Sequence, residues 1–91
     1  MRIIVKYSAQ LRQMAGTACE ELELSTNCEL AGALERLVEQ RTALRPFLFD
    51  STGGLRPSLL LCLGAEQVQP ARCRPLKDGD ELSLLSPIAG G

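Results

Sequence analysis

The residues most able to take part in a reaction are the last two of the sequence, Gly90 and Gly91. A terminal Gly-Gly presents a carboxylate on a stalk without Cβ atoms, and glycine reaches backbone conformations closed to other residues. Such a stalk can enter a narrow channel. A carboxylate is a poor electrophile until it is activated, for example as an acyl-adenylate made by a second protein. The pattern therefore points to the carboxylate of Gly91 as the reactive group, with a frayed end of no chemical role as the alternative.

The rest of the sequence contains no obvious catalytic constellation. Histidine, the commonest general acid–base, is absent, and there is no glycine-rich phosphate loop. The four cysteines, at positions 19, 28, 62 and 73, form no Cys-x-x-Cys pair. Their spacings do not fit those of zinc or plant-type iron–sulfur sites. We expect reduced thiols, with Cys62 in the core, and neither a bound metal, a bound cofactor nor an autonomous active site.

Size and charge restrict the class of protein. The 91 residues predict one domain, and 10 basic against 11 acidic residues give a net charge of −1. No basic field is available for a nucleic-acid backbone. The longest apolar run, residues 59–63, is too short to span a membrane, and residues 1–6 lack the features of a signal peptide. We expect a cytoplasmic protein that binds neither nucleic acid nor membrane.

Hydrophobic alternation and turn residues predict the strands that must support the tail. Strands are expected over residues 2–7, 18–24, 58–63, 66–68 and 81–86. Gly64-Ala65 suits a type II′ turn between the third and fourth strands. The first and last strands are expected to be neighbours in a mixed sheet.

Helical spacing predicts a short helix after Ser8 that ends at Gly16, and a main helix over 27–40. Thr26 and Glu29 have the spacing of a capping box. Residues 42–57 read as a turn of helix and a loop whose two phenylalanines close the core. Gly32 lies off the apolar stripe of the main helix, where it costs about 1 kcal/mol of helix propensity without an evident packing reason.

One main helix over one face of a mixed sheet is an α+β arrangement. Alternate residues of the apolar run 59–63 must then point to the other face. We expect Leu59, Leu61 and Leu85 to form an exposed apolar patch near the base of the tail that binds a protein partner. The alternatives are that the 42–57 loop or a second copy of the chain covers this patch.

Three segments resemble the MoaD/ThiS family of β-grasp sulfur carriers, in the family's order, and the resemblance extends over nearly the whole chain. Residues 84–91 (LLSPIAGG) closely resemble the family's closing strand, proline, aliphatic residue and Gly-Gly. Residues 9–16 (AQLRQMAG) resemble its first strand-to-helix segment, and 77–81 (KDGDE) its Asp-Gly-Asp turn. The chain departs from the family at 63–65, where Leu-Gly-Ala replaces the frequent Val-Asn-Gly.

The resemblance implies a ubiquitin-like β-grasp domain over 1–86 and a flexible tail over 87–91. It implies that an E1-like adenylyltransferase uses ATP to activate Gly91 and that sulfur is loaded as a thiocarboxylate. In the molybdopterin branch, the tail then enters the large subunit of molybdopterin synthase. Gly91 would carry the sulfur, Gly90 would permit threading, and Pro87, Ile88 and Ala89 would fix the exit of the tail and contact the partner.

Three other readings stay open at this point. The chain could carry sulfur for cysteine, thiamine or another thio-metabolite pathway, delivering it to a different sulfur-accepting enzyme. It could be a protein modifier that forms isopeptide bonds through Gly91. It could also be a plain interaction module with an inert tail.

Overall fold

The computed structural model describes residues 1–56, 59–68 and 75–85, with Ala9 described by its backbone alone. The strands are β1 Arg2–Tyr7, β2 Cys19–Glu23, β3 Leu60–Leu63, β4 Glu66–Val68 and β5 Glu81–Leu85. The helices are α1 Ala9–Ala15, α2 Leu30–Gln40 and α3 Arg45–Leu48, with a 3-10 turn at Thr42–Leu44. Every predicted element is present within the described residues.

The five strands form one mixed sheet in the order β2-β1-β5-β3-β4. The first and last strands pair in parallel, and the other three pairings are antiparallel. A parallel pair needs a crossover connection, and α2 lies within the long connection from β1 to β5. The prediction that β1 and β5 are neighbours is confirmed, and β5 occupies the centre of the sheet.

The core lies between α2 and one face of the sheet. The apolar stripe of α2 is fully buried, as its spacing predicted. Phe49 is buried and Phe47 packs against the core, so the loop phenylalanines close it as expected. The sheet contributes these fully buried side chains: Ile3, Val5, Leu22, Leu61, Leu82 and Leu84.

The Asp-Gly-Asp turn joins the beginnings of the two parallel strands. The Asp78 carboxylate accepts a hydrogen bond from the Arg2 amide at 2.7 Å, and the Gly79 amide donates to the Arg2 carbonyl at 2.8 Å. Gly79 has φ +87°, a value that favours glycine. Two residues further on, the Ile4 amide donates to the Asp80 carbonyl at 2.8 Å. The turn therefore fixes the register of β1 against β5.

The main helix begins at Leu30, three residues later than predicted, and the expected capping box is wrong. Glu29 is the N-cap residue, in extended conformation, and no side chain caps the helix. Glu29 forms a bridge with Pro75, and the Cys28 carbonyl accepts the Leu76 amide at 3.0 Å. Asn27 turns the chain with φ +68°. Pairing with a distant segment thus overrides the local capping signal.

The structure supplies the packing reason for Gly32 that the sequence lacked. A Cβ atom at position 32 would lie 3.2 Å from the Sγ atom of Cys28, which is tighter than most van der Waals contacts. Cys28 precedes α2 and its side chain packs against the core. The glycine therefore makes room for the thiol over the first turn of the helix.

Replacing Gly32 with alanine should change the free energy of unfolding differently in the parent chain and in a Cys28→Ala background. In the parent chain, the gain in helix propensity of about 1 kcal/mol is offset by the contact with Cys28 Sγ. In a Cys28→Ala background, Gly32→Ala should raise the free energy of unfolding by about 0.5–1 kcal/mol. Urea unfolding of the four chains of this double-mutant cycle measures the coupling. Equal effects of Gly32→Ala in both backgrounds would contradict the proposed contact.

Candidate functional site

The predicted tail lies outside the described residues, so the structure defines the site by the end of strand β5. The residues outside the described ranges include Pro87, Ile88, Ala89, Gly90 and Gly91. The predicted boundary between residues 86 and 87 also lies outside them. Leu85 is the last residue of β5 and is called the tail root here.

The tail root is held between neighbouring strands in the middle of the sheet. Leu85 pairs with Leu60 of β3 on one side. On the other side, the Ser8 amide and hydroxyl both donate to the Leu84 carbonyl, at 3.3 and 3.2 Å. A segment that follows Leu85 therefore starts from a fixed position beside the beginning of α1.

The face of the sheet opposite α2 carries an apolar area at the tail root. Leu60 is 42% exposed, and Leu85, opposite it, is half-buried. The next pair on the same face, Cys62 and Ser83, is also half-buried and uncharged. These four residues, Leu60, Cys62, Ser83 and Leu85, are called the docking face. Their exposure and composition suit contact with another protein.

The prediction that Leu59 and Leu61 are exposed is wrong. Leu59 is 5% exposed and Leu61 is fully buried. Leu61 stands opposite Leu84 in the ladder, and opposite residues share a face, so Leu61 joins the core with Leu84. The same register places Cys62 on the face opposite the core, so the prediction that Cys62 lies in the core is wrong. A one-residue shift in phase exchanges the two faces, and an all-apolar run carries no signal against that shift.

Charged side chains border the docking face on the same side of the sheet, and Lys6 stands opposite Ser83. Arg2 pairs with Glu21 at 3.4 Å and with Glu23 at 2.8 Å, and Lys6 pairs with Glu81 at 2.9 Å. The hydrogen bond from Arg2 lowers the pKa of the Glu23 carboxyl. These pairs are exposed and contribute little stability. They mark where the apolar docking face ends.

A buried tyrosine beside the tail root is tied into a polar network that the sequence did not predict. Tyr7 pairs with Leu84, and its hydroxyl donates to the Glu20 carboxylate. Arg41 Nε donates to the same carboxylate, and Arg41 Nη1 donates to the Ala15 carbonyl at 2.7 Å. One feature of the sequence did point to this network. Glu20 lies two residues before Leu22 in β2, so the alternation of the strand places its carboxylate on the apolar face.

The network holds four elements together. It links β1, through Tyr7, to β2 and to the residue that ends α2, and it also closes the C-terminal turn of α1. Desolvation by burial, with Glu20 beside it, raises the pKa of Tyr7 above its ordinary value. Burial alone would raise the pKa of Glu20, but the hydrogen bonds from Arg41 and Tyr7 outweigh it and lower that pKa.

The described residues contain no other group with evident chemistry. Within 1–56, 59–68 and 75–85, no three histidine, cysteine, aspartate or glutamate side chains are placed to hold a metal ion. In the same ranges, no helix is long and apolar enough to cross a membrane. Burial raises the pKa of the Cys28 thiol, which makes it a weaker nucleophile.

The five-stranded sheet with α2 across one face is a ubiquitin-like β-grasp fold. Residues 5–91 match the ThiS family. The molybdopterin synthase sulfur carrier subunit of Chlamydomonas reinhardtii is 31% identical over 91 residues, which is 100% of each chain. The chain therefore belongs to the ThiS family of sulfur carriers and ubiquitin-like modifiers, and the sequence-based resemblance is confirmed.

Two solved structures illustrate the range of the fold. SAMP1, small archaeal modifier protein 1 of Haloferax volcanii, has a TM-score of 0.89 and 25% identity, with 100% of each chain covered. A chain in the complex of subunits 1 and 2 of the molybdopterin-converting factor from Helicobacter pylori has a TM-score of 0.64, with 100% of each chain covered. Its identity is 20%, so this second likeness is one of fold.

Replacing Glu20 with glutamine should lower the free energy of unfolding at pH 7, and that free energy should then fall less between pH 7 and pH 3. Because the folded pKa of Glu20 is depressed, its contribution is present above the unfolded pKa of about 4.3 and is lost as pH falls through the folded pKa. Glu20→Gln removes this term and a charge-assisted hydrogen bond, so the free energy of unfolding at pH 7 should fall by about 1–2 kcal/mol.

Urea unfolding at pH 7 and pH 3 measures both effects, with Glu39→Gln as the control. Glu39 pairs with Arg36 at 3.5 Å on the exposed surface, so its loss should cost less than about 0.5 kcal/mol. A Glu20→Gln chain that loses as much stability between the two pH values as the parent would contradict the assigned role.

Proposed function

We propose that this chain is a sulfur carrier whose Gly91 carboxylate is adenylated by an E1-like enzyme and converted to a thiocarboxylate. We further propose that it serves as the small subunit of molybdopterin synthase. The observation that carries the proposal is the full-length relative, a molybdopterin synthase sulfur carrier subunit at 31% identity. The terminal Gly90-Gly91 and the docking face at the tail root support the proposal.

The proposed chemistry takes place entirely at the last carboxyl group. A Gly91 carboxylate oxygen attacks the α-phosphorus of ATP, and pyrophosphate leaves. A sulfide sulfur then attacks the acyl-adenylate carbonyl, and AMP leaves to give the thiocarboxylate. With a persulfide donor the same attack gives an acyl disulfide, and a thiol then cleaves its S–S bond, releasing the thiocarboxylate while the thiol is oxidised to a disulfide. Delivery of the sulfur to an acceptor and hydrolysis restore the carboxylate. The partner enzymes supply ATP and the catalytic groups, and the carrier supplies the acyl group.

The contribution of this chain is to position the acyl group. Strand β5 leads from the sheet centre to the tail root, where Leu60 and Leu85 stand side by side on the docking face. A partner that covers this face would therefore hold the domain with the tail directed into its own site. The large subunit of the synthase is the proposed partner, by analogy with the complex of the two Helicobacter pylori subunits.

Protein modification is the second candidate, and one comparison favours it. SAMP1 covers the whole chain with a TM-score of 0.89, and it is named as a small archaeal modifier protein. Both candidates require adenylation of Gly91 and differ in the nucleophile that follows. Sulfur gives a thiocarboxylate, whereas a lysine amine gives an isopeptide. Carriage for cysteine, thiamine or another thio-metabolite pathway would differ from the first candidate in the sulfur acceptor.

Incubation with the adenylating enzyme, ATP and a sulfur donor should exchange one oxygen of Gly91 for sulfur, as measured by intact-protein mass spectrometry. Deletion of Gly91 should abolish the exchange, because the stalk becomes one residue shorter. Gly54→Ala is the matched glycine control, since a Cβ there meets atoms at 3.8 and 3.9 Å, ordinary contact distances. Lysine adducts without sulfur would favour the modifier, and an unchanged mass would contradict both candidates.

Leu60→Gln should weaken binding to the adenylating enzyme or the synthase large subunit about tenfold. Removing one partly exposed leucine from an interface costs about 1–2 kcal/mol. Ala31→Gln is the control, because Ala31 is an exposed apolar residue of α2, which covers the opposite face of the sheet. Titration calorimetry measures both affinities, and circular dichroism confirms that both variants fold. Equal losses from the two substitutions would contradict the assigned docking face.

A further inference from the structure

The charged side chains are distributed unevenly along the chain. Residues 8–20 and 41–56 contain four arginines and two carboxylates, which give a local charge of +2. The whole chain has a charge of −1, so the remaining residues carry −3. The positive part contains α1, the 3-10 turn and α3 together with the loops around them.

Three of these arginines are free of carboxylate partners within residues 1–56, 59–68 and 75–85. Arg41 is engaged by Glu20, whereas no ion pair involves Arg12, Arg45 or Arg56. All three are exposed. They are called the arginine flank here.

Neutral groups orient two members of the flank and leave their charge intact. The Arg45 guanidinium lies 5.6 Å from the centroid of the Phe49 ring, and Phe49 is itself buried. Arg56 Nε donates to the Pro46 carbonyl at 2.6 Å. Each guanidinium keeps further N–H donors for a planar acceptor such as a carboxylate.

The nearby Asp50 carboxylate is already occupied within its own loop. Asp50 Oδ1 accepts hydrogen bonds from the Thr52 amide at 2.9 Å and hydroxyl at 2.6 Å, and from the Gly54 amide at 3.2 Å. Asp50 lies near enough to Arg56 to feel its charge, but it forms no ion pair with it. The loop therefore offsets only part of the positive charge.

The arginine flank is connected to the tail root through α1. Ser8 donates twice to the Leu84 carbonyl, and α1, which carries Arg12, begins at the next residue. The 3-10 turn packs against α1 and leads directly into α3, which begins with Arg45. The positive surface therefore lies on elements that pack together beginning at α1, next to the strand that leads to the tail.

We infer that the arginine flank docks against an acidic surface on the protein that receives the C-terminal tail. The identity of that protein rests on the proposed function. Exposed charges around an interface mainly raise the association rate and set the orientation of the partner. An acidic protein surface suits three isolated arginines better than a nucleic acid does, because the chain as a whole is negative.

Charge reversal at the flank should slow association with the adenylating enzyme. The double variant Arg45→Glu/Arg56→Glu is compared with Arg36→Glu/Lys77→Glu, which changes the net charge equally outside the flank. At low salt, stopped-flow association of the flank variant should be about tenfold slower, with less than a twofold change for the control. The difference should vanish at about 0.5 M salt, where exposed charges are screened. Equal slowing by both variants would overturn the inference.

A second measurement separates this inference from the proposed function. Poly-L-glutamate is titrated into the labelled chain and followed by NMR, with no enzyme present. The amide shifts should concentrate in residues 10–15 and 41–56 and disappear in the flank variant. If sulfur loading fails but these shifts appear, the proposed function fails and the flank stands. Absent shifts, or a stronger response to duplex DNA or phosphatidylglycerol vesicles, would overturn the flank assignment.

Discussion

The parallel pairing of the first and last strands is the constraint on which the rest of the structure depends. It places β5 between β1 and β3, so the tail root is held on both sides. The Asp78-Gly79 turn fixes the register by two hydrogen bonds to the backbone of Arg2. A shift of one residue would turn Leu82 and Leu84 out of the core and Leu85 into it. The position of the tail root is thus set by a turn at the opposite end of the same strand.

The same register divides the surface around the tail root into three parts. The docking face is apolar, cross-strand ion pairs lie beside it on the same face of the sheet, and α1, which carries Arg12 of the arginine flank, begins beside Leu84. In the proposed function, the partner catalyses the reaction. This chain presents the tail, contacts the partner and sets the partner's orientation.

Much of the fold was predictable because short-range signals agree with the tertiary structure. The alternation in residues 2–7, the glycine that ends α1 and the stripe of α2 each gave the observed element. Two expectations failed where distant pairing decides. Glu29 pairs with Pro75 in extended conformation and is the N-cap residue of α2, not the third helical residue of a capping box. The face on which Leu61 lies depends on its partner Leu84. Neither the Thr26-to-Glu29 spacing nor the all-apolar run 59–63 contains that information.

The chemistry at Gly91 was predicted from its residues and the resemblance, whereas the surfaces around it needed the structure. The amino-acid sequence alone does not show that Arg41 is neutralised by Glu20, whereas Arg45 and Arg56 are held by neutral groups. The most direct measurement of the central claim is chain-dependent exchange of labelled pyrophosphate into ATP by the adenylating enzyme. The account predicts exchange with the native carboxylate and none with a C-terminal amide. Exchange that is absent, or equal for both termini, would contradict activation at Gly91.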